Sequence, residues 1–317
     1  MMLRITLLEV GEKMFLNLVF GGFFDFFKYL FTVEMLQYAL IAGIIVGILA
    51  PLIGSVVIIR RLSFIADTLS HFSLAGVALG AYLGTLTEGT WISKFVEPIW
   101  MGVLFSIIGT FVIEKLRGFY KNYKELSMPI VMSLGVALSG IFITLSDNAN
   151  KSRTNSLLFG SIYAVDKQDI LSIIIITVII FAFIIIYRNQ IITLCFDETY
   201  AKLSGVNVKI MQLAITIVLA LFISIFMEII GVLLISALMI IPVAASILVG
   251  DSFKNSIILA IIFSEISVFF GFIISFNLNV PTGSIIVLIN IIILFIIMLF
   301  RKVSKKIKRT EVPKKAS

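Results

Sequence analysis

The chain has 317 residues, of which 60% are apolar and only 14% charged, whereas soluble globular proteins carry roughly 25% charged residues. That balance places it in a membrane. The net charge of +7 does not mark a nucleic-acid binder, because much of the basic excess sits at 301–317 with no aromatic among those residues for base stacking. One cysteine, Cys195, excludes an intrachain disulfide.

Residues 14–31 place Asn17, Gly21, Asp25 and Lys28 on one side at helical spacing, with aromatics over the rest. The pattern predicts a helix lying in the interface rather than crossing it, so residues 1–34 read as an amphipathic N-terminal segment. Nine apolar stretches follow, each long enough to cross: 35–59, 62–84, 98–116, 128–146, 169–187, 210–228, 230–249, 256–275 and 281–300. The fold class is therefore all-α, a polytopic membrane protein of about nine helices, with a transmembrane domain at 35–300 and a basic tail at 301–317. Lys and Arg concentrate in alternate loops, among them Arg60-Arg61, Arg117 with Lys121 and Lys124, and the tail. The tail, and with it the C-terminus, is then expected on the cytoplasmic side. Small residues at four-residue spacing, Gly43 and Gly47, Gly102 and Ser106, Ser133 and Ala137, suit close helix packing in lipid.

The second stretch carries Asp67 and His71, the only histidine of the chain. Residues four apart share a helix face, so carboxylate and imidazole point the same way. At about 1.5 Å per residue His71 lies on the order of 15 Å beyond Arg61, near the middle of the bilayer. Ionisable groups there cost several kcal/mol and usually serve transport. Imidazole nitrogen with carboxylate oxygen suits zinc, manganese or iron(II). One chain supplies only two donors, and a two-fold dimer would supply four. The alternative is that the two side chains bond to each other, with Ser70, and merely fasten helices.

Glu265, in the eighth stretch, is the other intramembrane acid, and its role stays open between a proton or ion route and a polar helix contact. In the loop after the fifth stretch, Asp197 suits a helix N-cap, Glu198 the first turn and Gly205 the C-terminal cap. A two-turn helix follows, either a connector or a handle for a cytoplasmic partner.

Four passages together resemble the membrane permease subunit of bacterial ABC importers for zinc and manganese. They are Arg61-Leu62-Ser63-Phe64-Ile65-Ala66-Asp67-Thr68-Leu69-Ser70-His71 with Gly76; Phe196-Asp197-Glu198 through Ala201 and Gly205; Gly231-Val232-Leu233-Leu234-Ile235-Ser236-Ala237-Leu238-Met239-Ile240-Ile241-Pro242; and Pro281-Thr282-Gly283-Ser284-Ile285-Ile286-Val287-Leu288. Leu158-Phe159-Gly160-Ser161 also fits. The likeness covers roughly residues 35–300. Ala75 departs from it where the family commonly has proline, and Ser161 where an acidic residue is often seen.

The resemblance implies a type II-like importer permease in a bacterial cell membrane, working as a homodimer. Its implied partners are cytoplasmic ATPase subunits and an extracytoplasmic metal-binding protein. Asp67 and His71 would bind the ion in transit, zinc, manganese or iron, with no cofactor held permanently. Asp197, Glu198, Ala201 and Gly205 would belong to the coupling helix that docks into the ATPase. The chain has no Gly-x-x-x-x-Gly-Lys-Ser/Thr phosphate loop, so it is expected to be no enzyme itself, ATP being hydrolysed on another chain. A proton-coupled secondary metal carrier using Asp67, His71 and Glu265 is the alternative.

Overall fold

The structure is a computed structural model that describes residues 28–86, 97–120, 122–146, 167–278 and 280–310. Most of the expected interfacial helix at 14–31 lies outside the described residues, although 28–32 are helical. Leu158–Ser161 also lies outside them.

Among the described residues the chain is helical throughout, with no strand. Eleven α-helices run in order: α1 Glu34–Ile59, α2 Phe64–Leu86, α3 Pro98–Phe119, α4 Ser127–Leu145, α5 Lys167–Ile186, α6 Arg188–Phe196, α7 Glu198–Leu203, α8 Val208–Ile230, α9 Val232–Ile247, α10 Phe253–Leu278 and α11 Thr282–Thr310. All nine apolar stretches are helices. Seven are long and apolar enough to cross a bilayer unaided. The fifth stretch is α5, which bends by 68° into α6 at Tyr187. The seventh is α9, whose 16 residues reach only about 24 Å at 1.5 Å each, short of the ~30 Å hydrocarbon layer.

The helices gather in two groups that ignore chain order. In the first, α2 packs most extensively on α3 and α4, and α8 covers α2 and α3. In the second, α1 joins the C-terminal helices, packing on α9 and α10, while α9, α10 and α11 pack on one another. Helix α9 also touches α2 and α8, and so links the two groups.

Because lipid is as apolar as leucine, such helices associate through close van der Waals contact rather than a hydrophobic drive. Glycine sets that closeness. A Cβ on Gly54 of α1 would strike the backbone carbonyl of Met239 in α9, and one on Gly76 of α2 the carbonyl of Met101 in α3. The predicted small pairs fall into place: Gly43 of α1 faces Val268 and Phe272 of α10, and Gly102 of α3 faces Ser73 and Val77 of α2. Ser133 and Ala137 instead lie on an uncovered face of α4.

Three tight joints fix the chain path. Gly231 alone separates α8 from α9, at φ 91° and ψ 154°, a region open essentially to glycine. Between α1 and α2, Leu62 donates its N–H to the Val57 carbonyl and Arg61 to that of Ile58, both at 2.9 Å. This is a Schellman closure, with buried Leu62 and Val57 as its apolar contact. The left-handed position that usually takes glycine is filled by Arg61 at φ 56°. The same closure ends α7, where Val206 donates to Ala201 and Gly205 to Lys202, and there the left-handed residue is Gly205 at φ 82°.

Candidate functional site

Helix α2 is gripped from three sides. Ser224 of α8 donates to Ser106 of α3 at 2.9 Å and Ser73 of α2 donates to Ser224 at 3.1 Å, while Ser106 reaches the Leu69 carbonyl at 3.3 Å. On the α4 side, Thr68 donates to the Met128 carbonyl at 3.1 Å. Gly135 of α4 comes so near that a Cβ would stand 3.0 Å from the His71 carbonyl carbon and 2.9 Å from the Phe72 nitrogen. Nearly every residue from Ile65 to Ala78 is consequently buried.

Asp67 and His71 are the exceptions. Both are only half-buried, and Phe64, one turn earlier on the same line, is 63% exposed. The stripe 64–67–71 is therefore the side of α2 that its own bundle leaves uncovered. Among the described residues neither side chain is hydrogen-bonded to the other, and Ser70 donates to the Ala66 carbonyl at 2.8 Å rather than to the pair. The helix-fastening alternative thus lacks the bonds it requires. Helix α2 begins at Phe64 and centres on Ala75, so His71 sits about one turn, and Asp67 about two, on the Arg60 side of its midpoint. Among the described residues, no group of three or more His, Cys, Asp and Glu side chains is placed to hold a metal ion. Among the described residues, one copy offers an ion this pair and no larger cluster.

Glu265 is not brought to the pair. It projects from α10 onto α1, where its carboxylate fills the notch left by the absent side chain of Gly47. Its Oε1 is buried without a hydrogen-bond partner.

The short helix α7 matches its sequence signals. The Asp197 carboxylate accepts from the backbone N–H of Thr199 at 2.8 Å and Tyr200 at 3.0 Å, a cap worth about 1 kcal/mol. Glu198 pairs with Lys202 at 3.2 Å. Ala201 is fully buried, in a small core separate from the main one, formed with Ile191 and Leu194 of α6 and Val208, Met211 and Ile215 of α8. Outward, Phe196, Tyr200 and Leu203 are all more than half exposed. The helix is thus anchored on one side and presents a mixed aromatic, aliphatic and charged face on the other.

Sequence reasoning missed what lies beside this small core. Arg60, at the end of α1, donates to the Gln212 carbonyl oxygen at 2.9 Å, and the Gln212 amide nitrogen donates to Glu114 of α3 at 2.8 Å. Arg117 closes the chain on the same carboxylate at 3.0 Å. Burial holds the Arg60 guanidinium below its usual pKa and Arg117 pushes the same way, against Cys195, Glu198 and Glu114, which raise it. Arg60 Nη1 and Arg117 Nε are buried without partners. The Glu114–Arg117 spacing was readable as a helical i,i+3 pair; nothing in the sequence pointed to Gln212.

The family model for the ABC 3 transport family matches residues 32–301. The "Probable metal transport system membrane protein" of Treponema pallidum is 30% identical over 277 residues, covering 86% of this chain and 99% of that protein. The "Manganese transport system membrane protein MntC" of Listeria monocytogenes is 31% identical over 277 residues, covering 87% of this chain and 94% of that protein. Among solved structures, "PsaBC from Streptococcus pneumoniae in complex with Fab" aligns with a TM-score of 0.73 at 27% identity, over 86% of this chain and 94% of that chain.

Proposed function

Since the chain belongs to the ABC 3 transport family, we propose that it is the permease subunit of an ATP-driven importer for a divalent transition metal ion, manganese or zinc, in a bacterial cell membrane. The observation that carries this reading is the uncovered stripe of α2, where a carboxylate and an imidazole one turn apart stand free of internal bonds. Two copies related by a two-fold axis would bring two oxygens and two nitrogens together, a donor set for a first-row divalent ion. The ion is cargo, bound in transit.

Under this proposal residues 35–300 form the permease domain, and the Arg60 end of the bundle faces the cytoplasm with the basic tail at 301–317. Helix α7 docks into a separate ATPase chain through Phe196, Glu198, Tyr200 and Leu203, with Asp197, Ala201 and Gly205 holding its shape. A metal-binding protein delivers the ion from outside. A proton-coupled carrier gains no support from Glu265, which packs on Gly47 of α1 in the other helix group.

The test is reconstitution with the ATPase and binding protein in proteoliposomes, measuring accumulation of manganese and of zinc. ATP-dependent accumulation of either is the expected result. Uptake by the permease alone, driven by a proton gradient, would identify a carrier and overturn the proposal.

A further inference from the structure

Two assemblies meet at the Arg60 end. One is the small apolar core that binds α6, α7 and the start of α8 into a single block, with Val56 of α1 packed against it. The other is the polar chain Arg60–Gln212–Glu114–Arg117. Gln212 belongs to the polar chain and adjoins the small core along the sequence. It follows Met211, a member of the small core, and its amide accepts from a cation on one side while donating to an anion on the other.

Its partners connect to different parts. Arg60 begins the four-residue turn into α2, seven residues before Asp67, and Glu114 belongs to α3, which packs along α2. The network is also incompletely bonded, with one buried donor unused on each arginine. A buried polar network that is only partly satisfied is costly, so an arrangement that bonded those donors would be favoured over this one.

We propose that Gln212 is the positioning residue through which movement of α7 reaches Asp67 and His71. Helices α6 and α7 and the first turns of α8 shift as one apolar block, and the Gln212 amide carries Arg60, the turn and α2 with it. The inference rests on the importer reading above, in which α7 is the ATPase-docking helix. It adds a route between ATP and the ion that neither the docking face nor the metal pair contains.

The experiment uses the full complex of permease, ATPase and binding protein, comparing wild type, Gln212→Leu and the exchanged pair Arg60→Gln with Gln212→Arg. Gln212→Leu is expected to retain co-purifying ATPase and ATP hydrolysis while metal carried per ATP falls about tenfold, the size of a typical coupling energy. The exchanged pair, which restores a donor to Glu114 and an acceptor in the turn, recovers most of that loss. A second readout needs no transport. A cysteine at Ser63, in a Cys195→Ser background, changes its labelling rate when a non-hydrolysable ATP analogue binds, and Gln212→Leu abolishes that change.

Unaltered metal per ATP in Gln212→Leu, a surviving labelling response, or an exchanged pair that stays uncoupled each overturns the proposal. Should Gln212→Leu fail to assemble, the exchanged pair decides alone: coupled transport upholds the proposal and idle hydrolysis overturns it. A wild-type complex whose Ser63→Cys label responds to nucleotide but which accumulates neither manganese nor zinc refutes the importer reading and leaves the linkage standing.

Discussion

The two acids within the membrane are treated in opposite ways. Asp67 lies on the uncovered line of α2, one turn from an imidazole, in a helix that its neighbours otherwise bury and bond from behind. Glu265 lies in the second helix group, pressed against Gly47 of α1 with an oxygen buried and unbonded. Both cost free energy to place there. Only the first is half-exposed with an imidazole one turn away on the same face. An acid inside a bilayer therefore says little until its surroundings are known, and under the importer proposal the contrast puts the ion's route at the first group and a packing role at the second.

The most direct attempt to break this contrast removes the pair. Asp67→Ala and His71→Ala are each expected to reduce metal accumulation to background while expression and ATPase co-purification persist. Full uptake by both variants would erase the distinction between the groups. The next largest effect belongs to packing in the second group. Gly54→Ala drives a Cβ into the Met239 carbonyl and should lose about 1–3 kcal/mol by overpacking, seen as a lower thermal unfolding midpoint in detergent. Gly47→Ala meets only the mobile end of Glu265 and should lose much less. Equal losses would show that the second group yields nowhere.

Glu265→Gln sharpens the comparison further. It removes a buried carboxylate that makes no bond at Oε1, so uptake should stay near wild type and thermal stability hold or rise. A tenfold or greater fall in uptake, more than 1.4 kcal/mol of lost function, would return Glu265 to the ion's route. The smallest effect is expected at Arg61. Replacing it by glycine relieves a left-handed backbone that costs a side-chain-bearing residue about 1–2 kcal/mol, partly offset by the greater entropy of glycine in the unfolded chain. A slight rise in unfolding temperature with unchanged uptake is the result to look for.

Much of this was legible in the sequence. Helix positions followed from apolar run length, and the common face of Asp67 and His71 followed from their spacing. Asp197, Glu198 and Gly205 predicted the start and end of α7 because caps are local chemistry within a few residues. Tyr187 carried no such signal. The fifth apolar run ends there without glycine or proline, and the sequence did not show that the chain bends 68° and continues as α6. The Arg60–Gln212–Glu114 network was illegible for another reason, since it joins residues 152 and 98 positions apart that only tertiary packing brings together. Glu114 stands at the end of the third apolar run, and nothing in that position announced its bond to Gln212. Glu265 was visible as an anomaly, but its meaning depended on Gly47, a glycine among many.

The placement of α1 has a consequence for how the protein is made. Its close contacts, Gly54 on Met239 and Gly47 on Glu265, lie with helices that leave the ribosome long after it. Helix α1 is therefore expected to lack these two contacts while α2, α3 and α4 already have their near neighbours in the chain. Nascent chains arrested before α10 should hold a formed first group and an orphaned first span, the natural substrate for membrane quality control.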